Sequence, residues 1–430
     1  MKKNAEKIRK LGLFLTVCVS TAVMVGCGKG QEAEETEKLT VCTDEIHRDT
    51  VEALAEDWKK MNHGSDVEII SIPQDDSLAE SKITELRTEI MSGGGGPDVF
   101  IMESNIDTND GNAPALFPNL EKTMHSDLFL PLDNYMDNTQ YMNPDNWNQK
   151  IMDAGKTAEG QMTLPIAYTY CAYAFDTAGL ENMSSVPVSW EELLQCSDPT
   201  VRNCMSGGAI LWLSQTFGKL ADYENETLAF SEEELQKRTE EALTWYLESE
   251  GKEDDLNKMT AFAQVEDDFW SQVSYASAGA ERILAVPNDQ NGVTAYVTLY
   301  AAINRNSENS DQAFDLLDFM FSDEVMTGAG FATEDPNIKY GNGNNFAYAN
   351  GILANVTAAK QTLRNQSTQA LYEEIEGRIN HVRYYSQLDN TISKMYSDCF
   401  AVAVNSSTSE EENREIVRQA YEKMCMQLAE

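Results

Sequence analysis

Thr88-Glu89-Ile90-Met91-Ser92-Gly93-Gly94-Gly95-Gly96-Pro97-Asp98-Val99-Phe100-Ile101-Met102 carries the end of one element and the start of the next. Before the glycines, Leu78, Ile83, Leu86 and Ile90 recur at helical spacing; after Pro97 stands a short apolar run of strand length. Glycine reaches the left-handed backbone region freely and so ends helices, and proline cannot continue one. Working outward, Val67-Glu68-Ile69-Ile70 reads as a strand, and Val51, Leu54, Ala55 and Trp58 mark a helix through Thr50 to Met61 that stops at Asn62-His63-Gly64. Leu39-Thr40-Val41-Cys42 is the first strand. Strand, helix, strand, helix, strand at this spacing predicts a parallel α/β sheet with crossover helices. The four glycines are not a phosphate loop, which follows a strand, opens a helix and carries Gly-Lys-Ser/Thr. Here a helix precedes them and a strand follows.

In open α/β sheets the ligand lies at the carboxyl ends of the strands. That rule selects Thr43, Asp44 and Glu45 after the first strand, Gln74, Asp75 and Asp76 after the second, and Glu103, Ser104 and Asn105 after the third. Among these, Asp44, Glu45, Asp75 and Glu103 are candidate acceptors for ligand hydroxyls. The competing expectation is that such residues cap the helices that follow them.

Lys and Arg number 32 against 71 Asp and Glu, a net charge of −39. A chain this acidic repels nucleic acid and anionic lipid surfaces. Its first residues are basic (Lys2, Lys3, Lys7, Arg9, Lys10), then apolar from Leu11 to Val25, then Gly26. That order predicts a secretory signal peptide over 1–26, since an apolar run of about 15 residues is short for a bilayer span. Met24-Val25-Gly26-Cys27 resembles the lipobox of bacterial lipoproteins, with Met24 where Leu is usual, and implies lipidation of Cys27. The expected mature protein is anchored to the outer face of the cell membrane through Cys27, with residues 27–38 as an acidic, flexible tether. Cys196 and Cys204 bracket Ser197-Asp198-Pro199 and either pair or stay free. No zinc-type Cys/His spacing exists, and no cofactor or metal is implied. Arg378 to Val404 and Glu410 to Leu428 read as amphipathic helices, the second presenting Ile416, Val417, Ala420, Met424 and Leu428 on one face.

Four blocks, in order, resemble a known family. They are Thr88–Ser92 with Gly96-Pro97-Asp98-Val99-Phe100; Thr163-Leu164-Pro165-Ile166-Ala167-Tyr168 through Asp176; Val188-Ser189-Trp190-Glu191-Glu192-Leu193-Leu194; and Ala302-Ile303-Asn304-Arg305-Asn306-Ser307-Glu308-Asn309 with Ala313–Phe319 and Ser322-Asp323-Glu324. Together they are similar to the extracellular solute-binding proteins of ABC importers, the carbohydrate-type family 1 that includes maltose-binding protein. The resemblance implies an α/β, two-lobed periplasmic-binding-protein-like fold of type II, with a cleft between lobes that closes by hinge motion. Lobe 1 would hold 39–167 and 297–335, and lobe 2 would hold 168–296 and 336–430. It further implies a monomer that performs no chemistry and delivers a small-molecule ligand to the membrane permease subunits. Independently, Ser189 and Glu192 have the spacing of a capping box, which makes Trp190 a core or staple residue rather than a ligand stacker.

Sugars stack on aromatic rings while planar polar groups satisfy their hydroxyls. Aromatic residues stand where the family's cleft should run: Tyr168 and Tyr170 at the first crossover, Trp212, Trp270 and Tyr275 in the second lobe, Tyr296 and Tyr300 flanking the return crossover, and Tyr340 in a Gly/Asn-rich loop. Strand alternation leaves two possibilities at the first crossover, Tyr168 with Tyr170 or Thr169 with Cys171. The family often has an acidic residue near Thr169. The ligand expected is a carbohydrate. A polyamine or other cationic or peptide-like solute is the alternative, favoured by the carboxylates, and a secreted glycoside hydrolase would need a carboxylate pair.

Overall fold

The computed structural model describes residues 38–430 except 63, 93–94, 105–114, 176–185, 199–200, 203–212, 250–258, 262–281, 344–345, 347–350, 364, 406–408 and 430. Cys27, the expected signal segment and Cys204 lie outside the described residues.

The first five elements follow the expected order: β1 (Leu39–Asp44), α1 (Arg48–Asn62), β2 (Val67–Ile72), α2 (Asp76–Met91) and β3 (Val99–Glu103). β1 lies between β2 and β3 and is parallel to both. α1 buries Val51, Leu54, Ala55 and Trp58, the residues its period selects. In α2 the buried row is Ala79, Ile83 and Leu86, with Ile90 half-buried. Leu78, expected on that face, is 59% exposed, because it stands one residue outside the i, i+4, i+7 row that Ala79 begins.

The turn between α2 and β3 requires glycine at one position. Gly96 has φ +100°, and a Cβ there would meet Ile90 Cγ1 at 2.9 Å. Next to it, the Asp98 carboxylate accepts the Thr40 N–H (2.8 Å), the Thr40 hydroxyl (2.7 Å) and the Ser307 hydroxyl (2.6 Å). The Asn304 amide donates to the Pro97 carbonyl at 3.1 Å. Two of the blocks quoted above therefore hold each other and fasten the start of β1.

Later strands are β4 (Leu164–Thr169), β5 (Ala172–Phe175), β6 (Met259–Ala261), β7 (Arg282–Ala285), β8 (Val293–Ile303), β9 (Ile352–Leu353) and β10 (Ile379–Tyr384). Longer helices are α3 (Glu232–Ser249), α4 (Ser310–Met320), α5 (Gln366–Arg378), α6 (Gln387–Asn405) and α7 (Ser409–Ala429). A seven-stranded mixed sheet runs β9–β4–β8–β3–β1–β2, with β10 also on β8. β8 is buried throughout. Its first half, Val293 to Val297, pairs in parallel with β10, and Leu299 to Ile303 runs antiparallel to β3. A strand covered on both faces reads as a continuous apolar run, as β8 does.

The small antiparallel sheet β6–β5–β7 stands between two apolar clusters. Ala172, Ala174, Ile283 and Ala285 face the cluster of the large sheet. Cys171, Tyr173, Leu284 and Val286 face a second cluster with Trp190, Phe217 and the helices α3, α6 and α7. Ser189 accepts the Glu192 N–H at 3.2 Å as the capping box predicts, but Glu192 reaches back to the Val188 N–H (2.9 Å). Trp190 is a core residue, its indole N–H on Glu241 at 2.9 Å.

The C-terminal region corrects one expectation. Arg378 to Val404 is not one helix: α5 ends at Arg378, Ile379–Tyr384 is β10, and helix resumes at Gln387. Pairing with β8 decides the matter, since a half-buried segment takes the state its neighbours complete. α7 buries Val417, Ala420, Met424 and Leu428 as expected. Residues 336–430, expected in one lobe, are shared between the clusters. Phe346, Ile352, Ala358 and Tyr384 pack with the large sheet, and Leu388 onward with the second cluster. Among the described residues no helix is long and apolar enough to cross a membrane.

Candidate ligand-binding cleft

The carboxyl ends of β1, β2 and β3 frame a cleft of about 370 Å³. Asp44, Glu45, Gln74, Asp76 and Glu103 supply its polar wall, and Ile46, Ile72, Met102, Phe117 and Tyr300 its apolar one. β1 ends at Asp44, whose Oδ2 accepts the Glu103 backbone N–H at 2.7 Å across the β1–β3 pair. Burial pushes the Asp44 carboxyl up to about 7; the Glu103 N–H opposes the rise, the Glu103 carboxylate adds to it, and His47 opposes it.

Glu45 accepts the Gln74 N–H at 2.8 Å, tying the end of β2 to the turn after β1. In that turn, Glu45–His47, the imidazole of His47 is buried and its Nε2 lies 3.1 Å from Glu103 Oε1. Tyr300 enters from β8, in register with Met102. It is 3% exposed, and burial raises its phenol well above the usual value, with the Asp44 charge adding to the effect. Its ring packs edge-on against Tyr384 at 5.7 Å. The Tyr300 hydroxyl makes no hydrogen bond to another described residue and opens on the cleft.

Of the candidates read from the sequence, Asp44, Glu45 and Glu103 meet in this cleft. Asp75 does not line it. Its Oδ1 accepts the Ser77 hydroxyl (2.6 Å) and the Ser77 and Leu78 N–H groups (3.2 Å each), which lower its carboxyl and cap α2. For this residue the capping expectation holds.

The crossover aromatics are packed rather than open to this cleft. Tyr168, Thr169 and Tyr170 are fully buried. The Tyr168 hydroxyl donates to Glu376 Oε1 at 2.7 Å, with the Tyr372 hydroxyl 3.3 Å away, and Asn148 holds the other Glu376 oxygen at 2.8 Å. Tyr296 is stacked on Tyr385 with centroids 4.0 Å apart and lies under the Arg383 guanidinium at 4.3 Å. Its hydroxyl lies 3.2 Å from both Asp389 and Ser214. Tyr340 is half-buried opposite Phe331 in a short hairpin. Trp212, Trp270 and Tyr275 lie outside the described residues.

Sequence reasoning missed His47 and Phe117. A lone histidine inside a helix-forming stretch carries no local signal, and Phe117 reaches the cleft only through tertiary packing. Among the described residues no three His, Cys, Asp or Glu side chains are grouped to hold a metal.

The family model for bacterial extracellular solute-binding proteins matches residues 45–327. No curated protein matches the chain. Several solved structures are similar. The sugar-binding protein MalE from Xanthomonas citri is 14% identical, covering 91% of this chain and 98% of its own, with a TM-score of 0.58. A periplasmic oligogalacturonide binding protein from Yersinia enterocolitica is 14% identical, covering 90% and 100%, with a TM-score of 0.53. A de novo designed cysteine esterase is 16% identical, covering 91% and 98%, with a TM-score of 0.58. At these identities the likeness shows the fold, and it is the expected α/β fold of two-lobed solute-binding proteins.

Proposed function

The chain belongs to the bacterial extracellular solute-binding protein family, and from that premise we propose that it is the ligand-capturing subunit of an ABC importer for a saccharide. The observation that carries the reading is the cleft at the carboxyl ends of β1 to β3. There, the acceptors Asp44, Glu45 and Glu103 and the amide of Gln74 stand beside the rings of Phe117 and Tyr300. Planar acceptors satisfy hydroxyls, and an aromatic face covers the apolar side of a pyranose. The sugar and oligogalacturonide binding named for the similar structures supports the same class.

In this reading the chain performs no chemistry. It binds as a monomer, closes on its ligand and hands it to membrane permease subunits. Residues 1–26 are removed, and lipidated Cys27 with the acidic tether after it holds the protein at the outer face of the membrane. Trp212, Trp270 and Tyr275 remain the aromatic candidates for further contact with the ligand. A thermal-shift screen of the full-length chain against mono- and oligosaccharides, polyamines and amino acids tests the proposal. A saccharide at 100 times its dissociation constant is expected to add about 2.7 kcal/mol of stability. A response to no saccharide class would overturn it.

A further inference from the structure

We propose that the cleft at the carboxyl ends of β1 to β3 receives a protonated amine carried by a sugar ring, so that the ligand is an amino-sugar unit and not a uronate. The inference rests on the saccharide reading above and narrows it.

Charge is the first ground. Asp44, Glu45, Asp76 and Glu103 line one cleft, none of its described lining residues is Lys or Arg, and the His47 imidazole behind the wall meets Glu103 at 3.1 Å. Asp44 and Glu103 are neighbours across the β1–β3 pair, linked through the Glu103 N–H. A neutral hydroxyl can donate to these oxygens but leaves their mutual repulsion in place. An ammonium donates and also cancels charge, which makes its hydrogen bonds to carboxylate roughly twice as strong as neutral ones. A uronate would add another negative charge inside the field of a chain with net charge −39.

Tyr300 is the second and independent ground. Its side chain is 3% exposed and lines the cleft, and its hydroxyl has no partner among the described residues. Burial holds the phenol protonated, so the Tyr300 hydroxyl is a donor set among the acceptors of the wall. The hydroxyl is not sealed in the core but opens on the cleft, where a ligand oxygen can accept from it. A ligand that brings an acceptor oxygen as well as a cationic donor uses both. A linear polyamine has the donor alone; an amino sugar has both, and a ring face for Phe117.

Isothermal titration calorimetry of the full-length chain at pH 6.5 separates the possibilities. Four probes suffice: glucosamine oligosaccharides with free amines, their N-acetylated counterparts, oligogalacturonides and spermidine. The free-amine series is expected to bind at least ten-fold more tightly than the N-acetylated series, with no heat from oligogalacturonides. Asp44→Asn and Glu103→Gln should each weaken the free-amine series at least five-fold, and Tyr300→Phe should weaken it while leaving spermidine unaffected. Circular dichroism melts verify that each variant is folded. Equal affinity for the free-amine and N-acetylated series would overturn the amine inference and leave the saccharide reading standing. Spermidine binding without saccharide binding would overturn the saccharide reading and the amino-sugar assignment together. So would silence from all four probes.

Discussion

Two acidic centres in this molecule are built in opposite ways. Asp389, 1% exposed, is met by donors from Arg383, Ser386 and Tyr296. Arg383 Nη1 lies 2.8 Å from Oδ1, the Ser386 N–H and hydroxyl donate at 3.0 and 3.1 Å, and the Tyr296 hydroxyl donates at 3.2 Å. The same guanidinium donates to the Ser214 carbonyl at 3.0 Å and to Tyr296, and lies over the Tyr296 ring. Around Asp44 the nearest donor from another residue is the Glu103 backbone N–H at 2.7 Å, with His47 close by and the carboxylates of Glu45, Asp76 and Glu103 along the same cleft. A buried network of this kind fixes elements relative to one another, here β8, β10 and the start of α6. A centre left short of partners has interaction capacity in reserve for a ligand.

The sharpest way to break this comparison is to remove Arg383. Arg383→Met leaves Asp389 buried without its counterion, which should cost about 3–5 kcal/mol, read as a lower urea midpoint. A double variant with Asp389→Leu should recover most of that loss. A single-variant shift below about 1 kcal/mol would mean that the network is not what holds these elements.

The opposite sign is expected at the cleft. Asp44→Asn removes a charge that burial disfavours, so the ligand-free protein should be no less stable at pH 8 than the parent. The pH dependence follows from the same group. Burial raises Asp44, Glu121 and Glu376 each to about 7. A carboxyl whose folded value lies above its unfolded one contributes stability that is complete below about 4 and lost as pH rises through 7. Urea midpoints should therefore climb from pH 8 to pH 6, and Asp44→Asn should flatten part of that climb. A parent midpoint that falls between pH 8 and pH 6 would contradict the assignment of strain to these acids.

The smallest effect is expected far from both centres. Ser189→Ala removes the N-cap of the helix beginning at Trp190 and should cost about 1 kcal/mol by the same denaturation, with no change in its pH slope. A changed slope there would show that the pH effect is not local to the buried acids.

Much of this was legible in residues 39–103 because each element there answers to a local rule. The 3.6-residue period placed α1, and the Gly-Pro turn separated α2 from β3. The position of Asp44, Glu45 and Glu103 at neighbouring strand ends is enough to bring them together. Leu78 shows the margin of such reasoning, since one residue of phase moved it from core to solvent. Asp75 shows that two local rules can compete for one side chain; hydrogen-bond geometry, not type, assigned it to the cap.

The sequence by itself determined the α/β character, the crossover order of the first lobe, the acidic strand ends and the family blocks, because period, turn chemistry and short spacing are properties of the chain. Only the tertiary structure decided the rest. It turned Ile379–Tyr384 into a strand by offering it β8, and drew His47 and Tyr300 to the edge that Asp44 occupies. It also buried Tyr168 and Tyr296 against Glu376 and Arg383. Each of these outcomes depends on a partner distant in sequence, and a side chain's burial or exposure is settled by what packs over it.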